Sequence, residues 1–158
     1  MANTQAMCTS FLGEVLTATH NFGTAPTRGT SAADTFKAAL YLTTATINAA
    51  TTAYTASGEV SGTNYTAGGV TVTNATAPLS TNTSATAGTA YWTPSASITY
   101  TTVTLSTAFD TVLIYNSTQS NKAVSVHTFG SQTITAGTFT LTMPSNTTAA
   151  ALLRIATT

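Results

Sequence analysis

Charge is the scarcest ingredient of this chain. Of 158 residues only eight are acidic or basic: Glu14, Asp34, Glu59, Asp110, Arg28, Lys37, Lys122 and Arg154. That is 5% of the sequence, where an average soluble domain carries about 25%. The formal net charge is zero, so no basic field exists to hold nucleic acid or an anionic membrane surface. A single cysteine, Cys8, excludes an internal disulfide framework. No run approaches the roughly 18 to 20 apolar residues that a membrane-spanning helix needs. The first residues, Met1 to Met7, lack a basic stretch followed by an apolar one, so no signal peptide is expected. Several Asn-x-Ser/Thr triplets match the glycosylation acceptor pattern, but a chain this rich in Thr produces them by chance.

Threonine fills the place that charge leaves, at roughly a quarter of all positions. It is β-branched and suits a pleated surface, while its hydroxyl keeps that surface wetted. The composition therefore points to β-structure with a neutral polar exterior. Low charge also removes colloidal repulsion, so the chain is expected to live in an assembly.

The one good helix candidate lies near the start. Thr9 or Ser10 can cap it and Gly23 can end it. Phe11, Val15, Ala18 and Phe22 fall on one stripe, with Leu12 and Leu16 beside it. The spacing predicts a helix over about Ser10 to Phe22, followed by a loop to Ala33. Residues 1–33 are thus read as a helix and arm, and 34–158 as the main domain.

From Asp34 onward the period is two. Phe36 to Leu42 could be a strand or a short helix, and Ala45 to Ala53 reads as a loop with little to bury. Val70 to Thr73 alternates, and Asn74 to Gly88 reads as a loop or a long exposed edge. Ile98, Tyr100, Val103 and Leu105 alternate with one slip at Thr101-Thr102, which predicts a bulge or bend. Thr111 to Tyr115 is a short apolar run that suits a strand buried on both faces. Val124 and Val126 alternate with polar neighbours, as do Phe139, Leu141 and Met143, and Pro144 stops the last of these. Leu152, Leu153 and Ile155 make a final strand. About eight strands at this spacing suggest a sandwich or a barrel. The expected core is Val112, Ile114, Val124, Val126, Phe139, Leu141 and Leu153.

No constellation for chemistry emerges. His20 and His127 are far apart, Cys8 stands alone, and nothing has metal-ligand spacing, so neither a metal nor a cofactor is expected. A Ser–His–acid set could be drawn from an abundant Ser, His127 and Asp110, yet no sharp Gly-x-Ser-x-Gly turn supports it. His20 reads either as a cation suited to a helix C-terminus or as a pH-sensitive contact. Tyr91 and Trp92 read as an interface or core anchor, or as a surface for stacking a sugar. No catalytic residue is assigned. The residues expected to contact a partner are Phe11, Leu12, Val15, Leu16, Phe22, Tyr91 and Trp92. An exposed apolar patch of this kind marks an interface, and the bland alternative is a helix that caps one end of the sandwich.

Several segments carry a resemblance. They are Asp34-Thr35-Phe36-Lys37-Ala38-Ala39-Leu40-Tyr41, then Thr52-Ala53-Tyr54-Thr55, and Gly58-Glu59-Val60-Ser61-Gly62-Thr63-Asn64-Tyr65-Thr66-Ala67-Gly68-Gly69. Leu113-Ile114-Tyr115-Asn116, Asn121-Lys122-Ala123-Val124 and Gly137-Thr138-Phe139 add to it. Together, from about Gln5 to Ile155, the chain resembles the head-decoration, or cement, proteins of tailed bacteriophages. That pattern prefers Gly where this chain has Asn64, a residue that also tolerates a left-handed backbone. The resemblance implies an all-β antiparallel β-sandwich, with a jelly roll as one form of it. It implies a structural protein, not an enzyme, made in the host cytoplasm and placed on the outer capsid surface of a virion. Its expected partners are the major capsid protein and its own copies, as a dimer or trimer. A tail, fibre or receptor-binding component is the alternative. A pilin-like or surface-layer subunit is disfavoured by the missing signal peptide, and a glycan hydrolase by the scarcity of carboxylates.

Overall fold

A computed structural model describes residues 3–16, 19–22, 33–74, 77–81 and 88–156. The period-two runs form strands, but they merge into fewer and longer ones than their spacing suggests. In chain order these are β1 (Ala6–Met7), β2 (Phe36–Leu42), β3 (Val70–Thr71), β4 (Leu79–Ser80), β5 (Thr89–Trp92), β6 (Ile98–Asn116), β7 (Lys122–Leu141) and β8 (Leu153–Ala156). A helical segment, α1 (Thr9–Leu16), follows β1. The fold is an antiparallel β-sandwich of two sheets, ordered β1-β7-β6-β2-β3 and β4-β5-β8. The strands divide five and three, and consecutive β6 and β7 pair side by side. The order is therefore not that of a four-plus-four jelly roll.

The β6–β7 hairpin dominates, with strands of 19 and 20 residues. It is bent by bulges. Tyr100 pairs with Phe139 and Val103 with Gly137, so β6 carries an extra residue at Thr101-Thr102. Thr102 there has φ of 53°. This is the slip that the alternation predicts. On β7, Val103–Gly137 is followed by Leu105–Ile134, with Ala136 at φ 47°. Further shifts lie between Leu105, Phe109 and Thr111.

These bulges fold the hairpin over itself, as strands do when they pass from one layer to another. Phe109 pairs with Gln132, yet its ring lies 5.1 Å from that of Phe139. Seven residues of straight strand would separate the two positions by about 23 Å. Likewise Tyr100 donates from Oη to the carbonyl of Ala38 at 2.8 Å, although Ala38 pairs with Ile114 on the same β6. The far half of the hairpin is thus laid across the face of its near half.

The core fills the space between. Phe36, Leu40, Tyr41, Leu105, Phe109, Leu113, Ile114, Val124 and Val126 are fully buried. Each such side chain contributes about 1.5–3 kcal/mol relative to exposure. Thr111-Val112-Leu113-Ile114-Tyr115 is buried throughout, as its apolar run implies. Phe36 to Leu42 resolves as a strand because its flanks pair antiparallel with β6 on one side and β3 on the other.

Three expectations need correction. The helix ends at Leu16, not Phe22, and Thr19 to Phe22 is not helical. His20 and Phe22 are drawn inward by separate partners, which a continued helix would not allow. Gly23, its expected cap, and Ala18 lie outside the described residues. Phe139 and Leu141 are half-buried, because the bent hairpin covers only one side of them. Ala45 and Ile47 are buried at 7% and 2% exposure, so the loop after β2 contributes to the core.

Candidate contact surface

All four carboxylates of the chain are spent on holding it to itself. Asp110, within β6, accepts from Asn3 Nδ2 at 2.8 Å and from its neighbour Thr111 Oγ1 at 2.7 Å. Asn3 also takes Ile47 N–H and gives to the Leu42 carbonyl, so this contact ties the N-terminus to the end of β2.

Glu59 organises the segment that carries the resemblance. Its Oε2 accepts from Tyr54 Oη at 2.7 Å, and its Oε1 from Tyr65 Oη and Gly68 N–H, each at 2.7 Å. Tyr65 in turn accepts from Leu40 N–H, Tyr115 donates to the Gly68 carbonyl, and Tyr41 donates to that of Thr55. Tyr54 stacks on Tyr115, and Tyr65 on Tyr100. Five of the chain's six tyrosines therefore clamp residues 53–69 onto β2 and β6. Burial, helped by the Glu59 carboxylate, pushes the Tyr54 phenol up to about 12 and raises Tyr65, Tyr100 and Tyr115 as well. Gly69, at φ 72°, packs so closely that a Cβ would run into the Ala38 carbonyl. Asn64 holds φ of 60°, the left-handed conformation that an amide side chain tolerates.

A third set fixes the N-terminal segment. Glu14 takes Lys122 Nζ at 2.6 Å and His20 Nε2 at 2.8 Å. Asn116 gives its amide to His20 Nδ1 at 3.1 Å and to Asp34 Oδ2 at 2.8 Å. Asn116 Oδ1 is itself fixed by the N–H groups of Thr118 and Gln119. Nδ1 of His20 is thus an acceptor and Nε2–H a donor, which is the neutral ring. Burial lowers the His20 pKa, more than Glu14 raises it. Burial alone would raise Glu14, but hydrogen bonds from Lys122 and His20 outweigh it and hold the carboxyl low. His20 is therefore a buried, neutral connector and not a cation at a helix end.

The expected contact residues divide. Phe11, Val15, Phe22, Tyr91 and Trp92 meet around one apolar groove of about 180 Å³, closed by Pro78, Ala90, Leu153 and Ile155. Phe11 and Trp92 are only 2% exposed. Phe22 stacks on Phe36 at 4.3 Å and leans on Trp92 at 4.7 Å. These three form the floor. What faces outward is Val15 with part of Tyr91, joined by Leu79 and Ile155 at 47% and 40% exposure. Leu79 pairs with Tyr91 and Ala90 with Ile155 across β4, β5 and β8. Sequence reading passed over Leu79 and Ile155. Leu79 stands alone in a polar stretch, and Ile155 was read as part of a strand with no outward face assigned. The side chains of Leu12 and Leu16 lie outside the described residues.

Elsewhere His127 Nε2 lies 2.9 Å from Ser125 Oγ, on the wall of a cleft of about 460 Å³ between the sheets. Ser125 is 1% exposed, and Asp110 bonds to Asn3 and Thr111. The Ser–His–acid set drawn from the sequence is not assembled by these hydrogen bonds. Cys8 is buried, which pushes its thiol up to about 11. Among the described residues no three His, Cys, Asp or Glu converge, and no helix is long and apolar enough to cross a membrane.

No family model matches the chain, and neither does any curated protein or solved structure.

Proposed function

We propose that this chain is a structural virion protein that decorates the outside of an icosahedral phage capsid and stabilises it by bridging capsid subunits. The observation that carries the reading is the neutral exterior. The few charged groups are largely turned to internal ties, through Glu14, Asp34, Glu59, Asp110 and Lys122. The outward face that remains is threonine-rich and open at sheet edges. A surface of that kind binds by main-chain pairing and apolar contact, and salt outside a cell changes such contacts little. A bound protein stabilises the state it binds by mass action. Many copies each touching several subunits act together. The groove rimmed by Val15, Leu79 and Ile155 is offered as the contact to the major capsid protein. The same reading makes the chain a non-enzyme, consistent with carboxylates committed to structural bonds.

Quantifying the chain in purified particles tests this. Copies distributed over the whole head support decoration. A small fixed number at one end supports a tail or fibre component instead, and absence from particles overturns both.

A further inference from the structure

The sheet edges of this molecule are unequal. β1, β3 and β4 are two residues long and β8 is four. Short edges are one way that proteins prevent unwanted strand pairing. β7 is the exception. β1 covers it only at Ser125 and Val126, and Thr128 Oγ1 reaches Gln5. From Phe129 to Leu141 its bonds run to β6 and to the ribbon's own side chains, and among the described residues no other strand pairs with its outer side. This run, Phe129-Gly130-Ser131-Gln132-Thr133-Ile134-Thr135-Ala136-Gly137-Thr138-Phe139-Thr140-Leu141, contains no charged residue and no proline. The usual guards of an exposed edge are therefore missing, apart from the bulge at Thr135-Ala136. Beyond that bulge, Gly137 to Leu141 is a regular stretch, with Thr138 and Thr140 exposed and Phe139 and Leu141 half-buried.

We propose that the Gly137–Leu141 edge of β7 pairs antiparallel with the same edge of a second copy, across a two-fold axis. A second copy fits because the edge is neutral. Setting it against itself desolvates no ion and brings no like charges together, and a net charge of zero gives no long-range repulsion to overcome. Pairing centred on Phe139 sets Thr138 opposite the second copy's Thr140, a favourable cross-strand pair. It also sets the half-buried Phe139 opposite its own copy, with Leu141 on the diagonal to that ring. The proposal concerns the chain's own assembly. A protein that binds capsids but stays monomeric defeats it and leaves the decoration reading standing.

Sedimentation equilibrium of the purified chain is the test, with T138K/T140K and I155K as variants. The expected result is a dimer for the parent chain and for I155K. T138K/T140K, which places lysines opposite lysines, should be a monomer with an unchanged circular dichroism spectrum. Should that variant fail to fold, hydrogen exchange on the parent chain decides instead. Amides of residues 137–141 should exchange faster on dilution. A monomeric parent, a T138K/T140K variant that stays dimeric, or exchange independent of concentration overturns the proposal. So does loss of the dimer in I155K alone, which would move the contact to the apolar groove.

Discussion

The two halves of the β6–β7 hairpin are one ribbon by hydrogen bonding and two environments by packing. The near half, Phe109 to Asn116 with Lys122 to Thr128, is flanked by β2 and β1 and buried almost continuously. The far half, Ile98 to Ala108 with Phe129 to Leu141, has one face on the core and one in solvent. On β6 the near half, Thr111 to Tyr115, reads as an apolar run because both its faces are covered, and the far half as an alternation because only one face is. The bulges between them let one ribbon serve both layers.

The largest expected effect probes that difference directly. Phe109 is fully buried, and Phe109→Ala should cost about 3–5 kcal/mol in urea unfolding. Removing the clamp on residues 53–69 comes next. Glu59→Ala strands two phenols and an amide N–H, so about 2–4 kcal/mol is expected, with Glu59→Gln losing less.

Acid should act through His127, at the end of the near half. Burial holds its pKa down to about 4, from 6.5. The unfolded chain then takes up the proton first. Stability is full well above pH 6.5 and declines as pH falls towards 4, by roughly 3 kcal/mol. His20 shifts in the same direction. Thermal melts across this range should show the decline, and His127→Gln should flatten part of it.

The smaller effects belong to the far half. Phe139 is half-buried, so Phe139→Ala should cost about 1–2 kcal/mol, well below its partner in the aromatic cluster. Equal costs for Phe109 and Phe139 would break the distinction between the halves. Thr133, exposed on β7, should tolerate replacement by Ala within about 0.5 kcal/mol in thermal unfolding.

Much of the sandwich is legible in the sequence. The bulge at Thr101-Thr102 showed as a skipped beat, and Thr111 to Tyr115 showed as a doubly buried strand. The candidate contact surface was legible only in part. Phe11, Val15, Phe22, Tyr91 and Trp92 do converge, but Trp92 lies in the floor, because Phe22 and Phe36 give its ring an apolar bed that its polar sequence neighbours do not announce.

The sequence by itself determined strand periodicity, the neutral threonine surface and the residues able to turn the chain left-handed. Those follow from local geometry, since alternation and φ are set within a few residues. Tertiary structure alone decided that Tyr54 and Tyr65 meet on one glutamate, that Tyr100 reaches Ala38 across 62 residues of chain, and that β7 keeps a long edge unpaired among the described residues. These depend on how bulges aim one layer over another, and small rotations at a bend move distant side chains by many ångströms.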